Sequence, residues 1–129
     1  MSYIKTDFLV VGSGLAGLAA ALKLSTLGEV LILTKENVEN ANSTWAQGGI
    51  SAVFSAEDSF ESHIQDTLVA GAGLCNEDTV RNIVTQAPER IKDLINWGVK
   101  FDHKKTPQDD HFEMDLTKEG GHSYRRILH

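Results

Sequence analysis

The sequence predicts an α/β fold with a parallel sheet, and three observations carry that expectation. Phe8 to Val11 is a continuous apolar run that stops at a glycine. Gly12-Ser13-Gly14-Leu15-Ala16-Gly17 then spells G-x-G-x-x-G and opens a stretch rich in Ala and Leu. A second apolar run, Val30 to Leu33, follows. Strand, glycine turn, helix and strand in that order make a Rossmann-like βαβ unit with a right-handed crossover.

Each element has its own warrant. Uninterrupted apolar runs are the habit of strands covered on both faces, which is expected of both runs here. Residues 15–27 are apolar almost all round, so a helix there needs cover on more than one side. Gly28 is placed to end it in a left-handed conformation. Residues 35–49 are polar and read as a loop, and 50–54 as a short extended segment. Asp58 and Glu61 form an acidic variant of the capping box before Phe60, Ile64 and Leu68, which share a helical face. Asn76 caps a further helix, with Glu77 and Asp78 in its first turn. Val80, Ile83, Val84 and Ala87 give that helix its apolar spacing. Pro88 kinks it or opens a new one, with Ile91, Leu94 and Ile95 on one face and Gly98 as the stop. Residues 99–101 read as a short strand. Polar residues then dominate until Ile127 and Leu128 begin another apolar element. Two strands with helices appended are only part of a doubly wound sheet, so a piece of a longer enzyme is expected.

A chain of 129 residues, 41% hydrophobic and 23% charged, is globular in composition and one domain in length. Its net charge of −6 offers nucleic acid no basic surface. The single cysteine, Cys75, excludes an internal disulfide and a thiolate zinc site. Neither a signal-peptide pattern nor an apolar run of membrane-spanning length is present, and a cytoplasmic setting is expected.

The glycine loop carries chemistry. Gly12 permits the tight turn, Gly14 lets backbone approach a pyrophosphate, and Gly17 lets the helix pack closely on the strand. The N–H groups of the helix start then face the phosphates. An acidic residue at the end of the second strand commonly holds the ribose. Thr34 and Lys35 stand there instead, with Glu36 one place late. That departs from a plain NAD site. Thr34 can still bond a ribose, and Lys35 can lie over the adenosine or meet the 2′-phosphate of NADP.

Asn42-Ser43-Thr44-Trp45-Ala46-Gln47-Gly48-Gly49 is a second glycine-bearing segment, suited to close backbone contact with a flat, hydrogen-bonding ligand. Taken with the glycine loop, Thr34-Lys35, Asp66-Thr67, Ala70-Gly71-Ala72-Gly73 and Glu119-Gly120-Gly121-His122-Ser123-Tyr124-Arg125-Arg126, it makes the chain resemble a known family. That family is the succinate dehydrogenase and fumarate reductase flavoproteins, and within it the members that oxidise L-aspartate. The matching pieces run over nearly the whole chain in family order.

The resemblance implies a Rossmann-like FAD-binding domain of which residues 1–129 are the N-terminal portion, with the capping or substrate domain and the helical domain absent. It implies FAD pyrophosphate on Ser13, Gly14, Leu15 and Ala16, the adenosine ribose near Thr34 and Lys35, and the isoalloxazine along residues 42–49. Backbone amides at Gln47, Gly48 and Gly49 would tune the ring. Respiratory members tether FAD to a histidine where this chain has Asn42, so the FAD is expected to be non-covalent. Trp45 is expected to pack in the core or against the flavin edge.

The reaction implied is oxidation of L-aspartate to iminoaspartate, hydride passing from Cα to flavin N5, with oxygen or fumarate as acceptor. Quinolinate synthase would use the product in NAD biosynthesis. Glu119 matches the glutamate that faces the substrate ammonium; a carboxylate attracts an ammonium and lacks a partner beside a bare methylene. His122 and Arg125 are candidates for binding substrate carboxylates or supporting the loop. The rival readings are a soluble fumarate reductase or succinate dehydrogenase flavoprotein, and a non-catalytic nucleotide-binding redox module. His63 and Glu61 are two apart and share no helical face. His103 and His111, with Lys104, Lys105, Asp109 and Asp110, lack the spacing of a metal site and read as a solvated loop, so no metal is expected. Cys75 reads as a small structural residue. The family's proton-transfer and carboxylate-binding arginines have no counterpart in the chain.

Overall fold

The computed structural model describes residues 3–46, 48–104 and 113–129. They fall into two compact units, Met1–Gln47 and Gly48–His129.

In the first unit, β1 (Phe8–Val11) and β2 (Val30–Leu33) pair in parallel, Phe8 opposite Val30 and Val11 opposite Leu33. Helix α1 (Leu15–Leu24) joins them and packs on both. The strands fall where the apolar runs put them, but their burial differs from the expectation. Leu9, Val11 and Leu33 are exposed, because one helix against two strands covers one face of the pleat. Helix α1 is also shorter than expected. Ser25 and Thr26 turn their hydroxyls back onto the carbonyls of Leu22 and Lys23, at 2.8 Å each, and so close its last turn. Gly28 is not left-handed. Its missing Cβ instead leaves space for the Asp7 carboxylate, which a Cβ would meet at 2.7 Å and which accepts the Glu29 N–H at 2.9 Å. The loop after β2 holds two single 3-10 turns, Val38–Asn40 and Asn42–Trp45.

In the second unit, β3 (Ile50–Ser51) pairs antiparallel with β4 (Ile127–Leu128), tying the start of the unit to its end. Helices α2 (Phe60–Ala70) and α3 (Glu77–Asn96) pack on each other. Ala52, Ile91, Phe101 and Leu128 form the core. Each large apolar side chain buried there contributes about 1.5–3 kcal/mol.

Helix α2 is capped one residue later than expected. Ser59 Oγ accepts the Ser62 N–H at 3.1 Å, while Asp58 is engaged elsewhere. Helix α3 is capped as expected, Asn76 Oδ1 accepting the Thr79 N–H at 2.9 Å. It runs through Pro88 as one helix. The ring denies the Val84 carbonyl its helical donor, and burial of Val84 and Ile91 on either side holds the helix together. Ile83 falls off the buried face. Gly98 ends the helix with a φ of +99°. Residues 99–101 are not a strand: the Val99 N–H returns to the Leu94 carbonyl at 3.0 Å, and Phe101 turns into the core. Among the described residues no helix is long and apolar enough to cross a membrane.

Candidate functional site

In the first unit the chain leaves β1 through Gly12, whose φ of +106° suits glycine alone. The Gly12 N–H pairs with the Leu33 carbonyl at 2.8 Å, so the turn sits beside the end of β2. Helix α1 begins with Gly14 as its N-cap, no side-chain cap and no acidic residue in its first turn. The Leu15 N–H is taken by Ser43 Oγ, and the Ala16 and Gly17 N–H groups remain at its positive end for an anion. A Cβ on Gly17 would lie 2.2 Å from the Gly12 carbonyl oxygen, so the helix rests directly on the turn. A Cβ on Gly14 would meet only Ser43 Oγ, at 3.6 Å, an ordinary contact. Buried Ser13 shares a hydrogen bond of 3.0 Å with Thr34 Oγ1, and the Leu15 N–H donates to Ser43 Oγ at 3.2 Å.

These contacts frame a cleft of about 470 Å³, lined among others by Gly12, Ser13, Gly14, Thr34, Lys35 and Ser43. Six of the residues expected to bind cofactor thus meet on one cleft. Leu15, Ala16 and Gly17 form the helix turn behind it. Glu36, one place late in sequence, also lines the wall and accepts from Asn40 Nδ2 at 3.2 Å. Its signal was present: a loop residue next to a strand end reaches the same space. The helix start, the side-chain-free Gly12 and Gly14, and the Thr34 hydroxyl, Lys35 amine and Glu36 carboxylate on the same cleft fit the adenosine diphosphate half of FAD. Thr44, Trp45 and Ala46 are exposed, and Trp45 at 71% is not a core residue. The Asn42 side chain and all of Gln47 lie outside the described residues.

The second unit holds the remaining candidates. Gly48 is exposed, and a Cβ there would meet nothing within 4 Å. Gly49 has a packing reason of its own, since a Cβ would lie 2.2 Å from the Leu128 carbonyl oxygen. Glu119 Oε1 lies 3.5 Å from His129 Nε2, which shares a hydrogen bond of 3.0 Å with Thr117 Oγ1. The ring of His122 packs on buried His63, centroids 5.8 Å apart, and the Nδ1 atoms of both are buried without a partner. Arg125 Nη1 donates to the Leu116 carbonyl at 3.3 Å.

The dominant polar feature was missed in the sequence. Arg126 is fully buried, with Nε and Nη2 on Asp58, Nη1 on Asp66 and Nη2 also on Ser62 Oγ. Asp66 further accepts the N–H and hydroxyl of Ser123, at 2.7 Å each. Burial pushes the Asp66 carboxyl up, but the Ser123 donors and Arg126 outweigh it and hold it below the usual carboxylate value. Burial lowers the His63 pKa, Arg126 and His122 add to this, and Asp58 and Asp66 oppose it. The available signal was the Arg125-Arg126 pair beside an apolar strand, where neighbouring side chains point to opposite sides. Cys75 is half-buried, its thiol 3.8 Å from the Thr67 carbonyl, a packed residue as expected. His103 bridges to Met114, whereas His111, Lys105, Asp109 and Asp110 lie outside the described residues.

Residues 7–129 match the family model described as the FAD binding domain. The L-aspartate oxidase of Vibrio cholerae serotype O1 is 52% identical over 123 residues, covering 95% of this chain and 23% of that protein. The chloroplastic L-aspartate oxidase of Oryza sativa subsp. japonica is 51% identical over 95% of this chain and 18% of its own length. Among solved structures, Mycobacterium smegmatis Sdh1 in complex with UQ1 aligns with a TM-score of 0.83 at 29% identity, over 96% of this chain and 20% of that one. A quinol-fumarate reductase solved with menaquinol molecules aligns with a TM-score of 0.81 at 27% identity, over 100% of this chain and 22% of that one. The chain thus spans less than a quarter of the length of these relatives.

Proposed function

This chain belongs to the FAD binding domain family, and on that premise we propose that it is the N-terminal part of the FAD-binding domain of an L-aspartate oxidase. In this reading the capping and helical domains lie in further chain. The observation that carries it is 52% identity to an L-aspartate oxidase over 95% of the chain. FAD is the cofactor of the family, and the cleft of the first unit suits it. Gly14 and the open start of α1 would hold the pyrophosphate, Thr34, Lys35 and Glu36 the ribose, and residues 42–49 the flavin ring. No covalent tether is proposed, because Asn42 offers no imidazole.

FAD, when bound, supplies the acceptor for the hydride that leaves the substrate Cα. The residues of this chain bind and orient. The Glu119 carboxylate would meet the substrate ammonium and so separate aspartate from succinate and fumarate, which share its two carboxylates. His122 supports the loop through its ring contact with His63. The product is a reactive imine, and quinolinate synthase, in a cytoplasmic setting, is the proposed consumer. A flavoprotein acting on fumarate or succinate is the second reading, favoured by the likeness to a quinol-fumarate reductase.

Anaerobic L-aspartate should bleach the flavin of the intact protein, and bleaching by succinate alone would favour the second reading. Glu119→Gln should lower kcat/KM for aspartate by about one to two decades, from loss of one charge-assisted contact of about 1.5–3 kcal/mol. Fumarate reduction should change little. Equal loss on both substrates would place Glu119 in folding or general catalysis.

A further inference from the structure

The loop that carries Glu119 is closed at its base and bolted at its far end. At the base, the Thr117 N–H donates to the Ile127 carbonyl at 2.9 Å, and the Thr117 carbonyl accepts from the Arg126 and Ile127 N–H groups at 3.0 and 3.1 Å. Within the loop, the His122 N–H donates to the Glu119 carbonyl at 3.3 Å and Lys118 Nζ to the Ser123 carbonyl at 3.0 Å. Ser123 then gives its N–H and its hydroxyl to the two oxygens of Asp66, at 2.7 Å each. Two bonds from one residue to one carboxylate fix orientation as well as distance, and bonds to an ionised acceptor are the strong ones. Asp66 is itself fixed, standing on α2 with Arg126 Nη1 at 3.0 Å. Residues 118–122 are therefore held from both sides, and Glu119 is among them.

We propose that Ser123, held by Asp66, is a positioning residue for Glu119, and thereby sets selectivity for a dicarboxylate that bears an ammonium group. The proposal rests on the Glu119 reading given above. A carboxylate displaced by about 1 Å from an ammonium loses most of its directed contact, whereas a substrate without the ammonium has nothing to lose. The hydroxyl of Ser123 thus acts on aspartate alone, through Glu119.

The test uses the intact, FAD-loaded enzyme. Ser123→Ala removes the hydroxyl and keeps the backbone bond; Ser123→Thr restores a hydroxyl. Ser123→Ala should lower kcat/KM for L-aspartate about three- to tenfold, with fumarate reduction and FAD content held within about twofold. Ser123→Thr should recover most of the loss. In a Glu119→Gln background, Ser123→Ala should add nothing, because the group it positions is already gone. Equal loss on both substrates, no loss on either, or the same loss in the Glu119→Gln background overturns the proposal. Failure of the underlying reading shows separately: Glu119→Gln alone would leave aspartate turnover unchanged, and the proposal would fall with it.

Discussion

The guanidinium of Arg126 meets the carboxylate of Asp58 edge to edge, through two hydrogen bonds of 2.8 Å, with both side chains fully buried. Asp66 shares the same cation from α2. Charges held this way need not add net stability, but removing one partner strands the other in a low-dielectric interior.

Asp58→Ala should therefore destabilise the second unit by about 3–5 kcal/mol. Glu61→Ala removes one of two exposed partners of Arg81, which keeps Glu77, and should change stability little. Urea denaturation of both variants checks the contrast. Equal midpoints would show that burial gives the Arg126 network no special weight.

Acid should act in two windows. Burial, Arg126 and His122 hold the folded His63 pKa below its ordinary value of 6.5. The stability contributed by its neutral form is complete above the unfolded pKa and is lost as pH falls through the folded value. Asp66, held below 3.8, contributes stability above that pH and loses it as pH falls through its own folded value. Urea midpoints should fall as pH drops below the ordinary histidine value of 6.5, and again as it drops below the ordinary aspartate value of 3.8. His63→Gln should flatten the first fall and leave the second. An unchanged first fall would remove His63 as its source.

The glycine loop separates packing from binding. Gly17→Ala puts a carbon 2.2 Å from the Gly12 carbonyl oxygen, so α1 must shift, at a cost of about 1–3 kcal/mol. A Cβ on Gly14 makes only an ordinary contact with Ser43 Oγ, yet a valine side chain there occupies the approach of the pyrophosphate. A folded, colourless Gly14→Val protein and a destabilised Gly17→Ala protein are expected. Near-normal flavin in Gly14→Val would reduce the loop to a turn.

Acid precipitation of the intact yellow protein should release FAD into the supernatant, since Asn42 provides no tether. Flavin retained in the pellet would contradict this, and FMN in place of FAD would contradict the dinucleotide reading.

Local chemistry was legible in the sequence. Both strands of the first unit, the Asn76 cap and the Gly98 stop follow from runs and spacings a few residues long. The cleft was legible for the same reason, because a βαβ unit brings the glycine turn and the second strand's end to one edge. Contacts between distant residues were not legible. Asp58 read as a helix cap because nothing nearby in sequence announces Arg126 as its partner. His63 and His122 are each unremarkable in sequence, and only the fold makes them neighbours. Gly49 read as a ligand residue, although the approach of β4 gives it a reason in packing.

The pairing pattern carries a consequence for synthesis. Phe8 finds a partner in nearby Val30, whereas Ile50 must wait for Leu128. Chains emerge from the ribosome N-terminus first. The glycine cleft can close while most of the second unit is still untranslated, whereas the base of the Glu119 loop closes only once Ile127 has emerged. A nascent chain stalled before Arg126 would hold Asp58 and Asp66 without their shared cation. Translation of that arginine supplies the cation that Asp58 and Asp66 share.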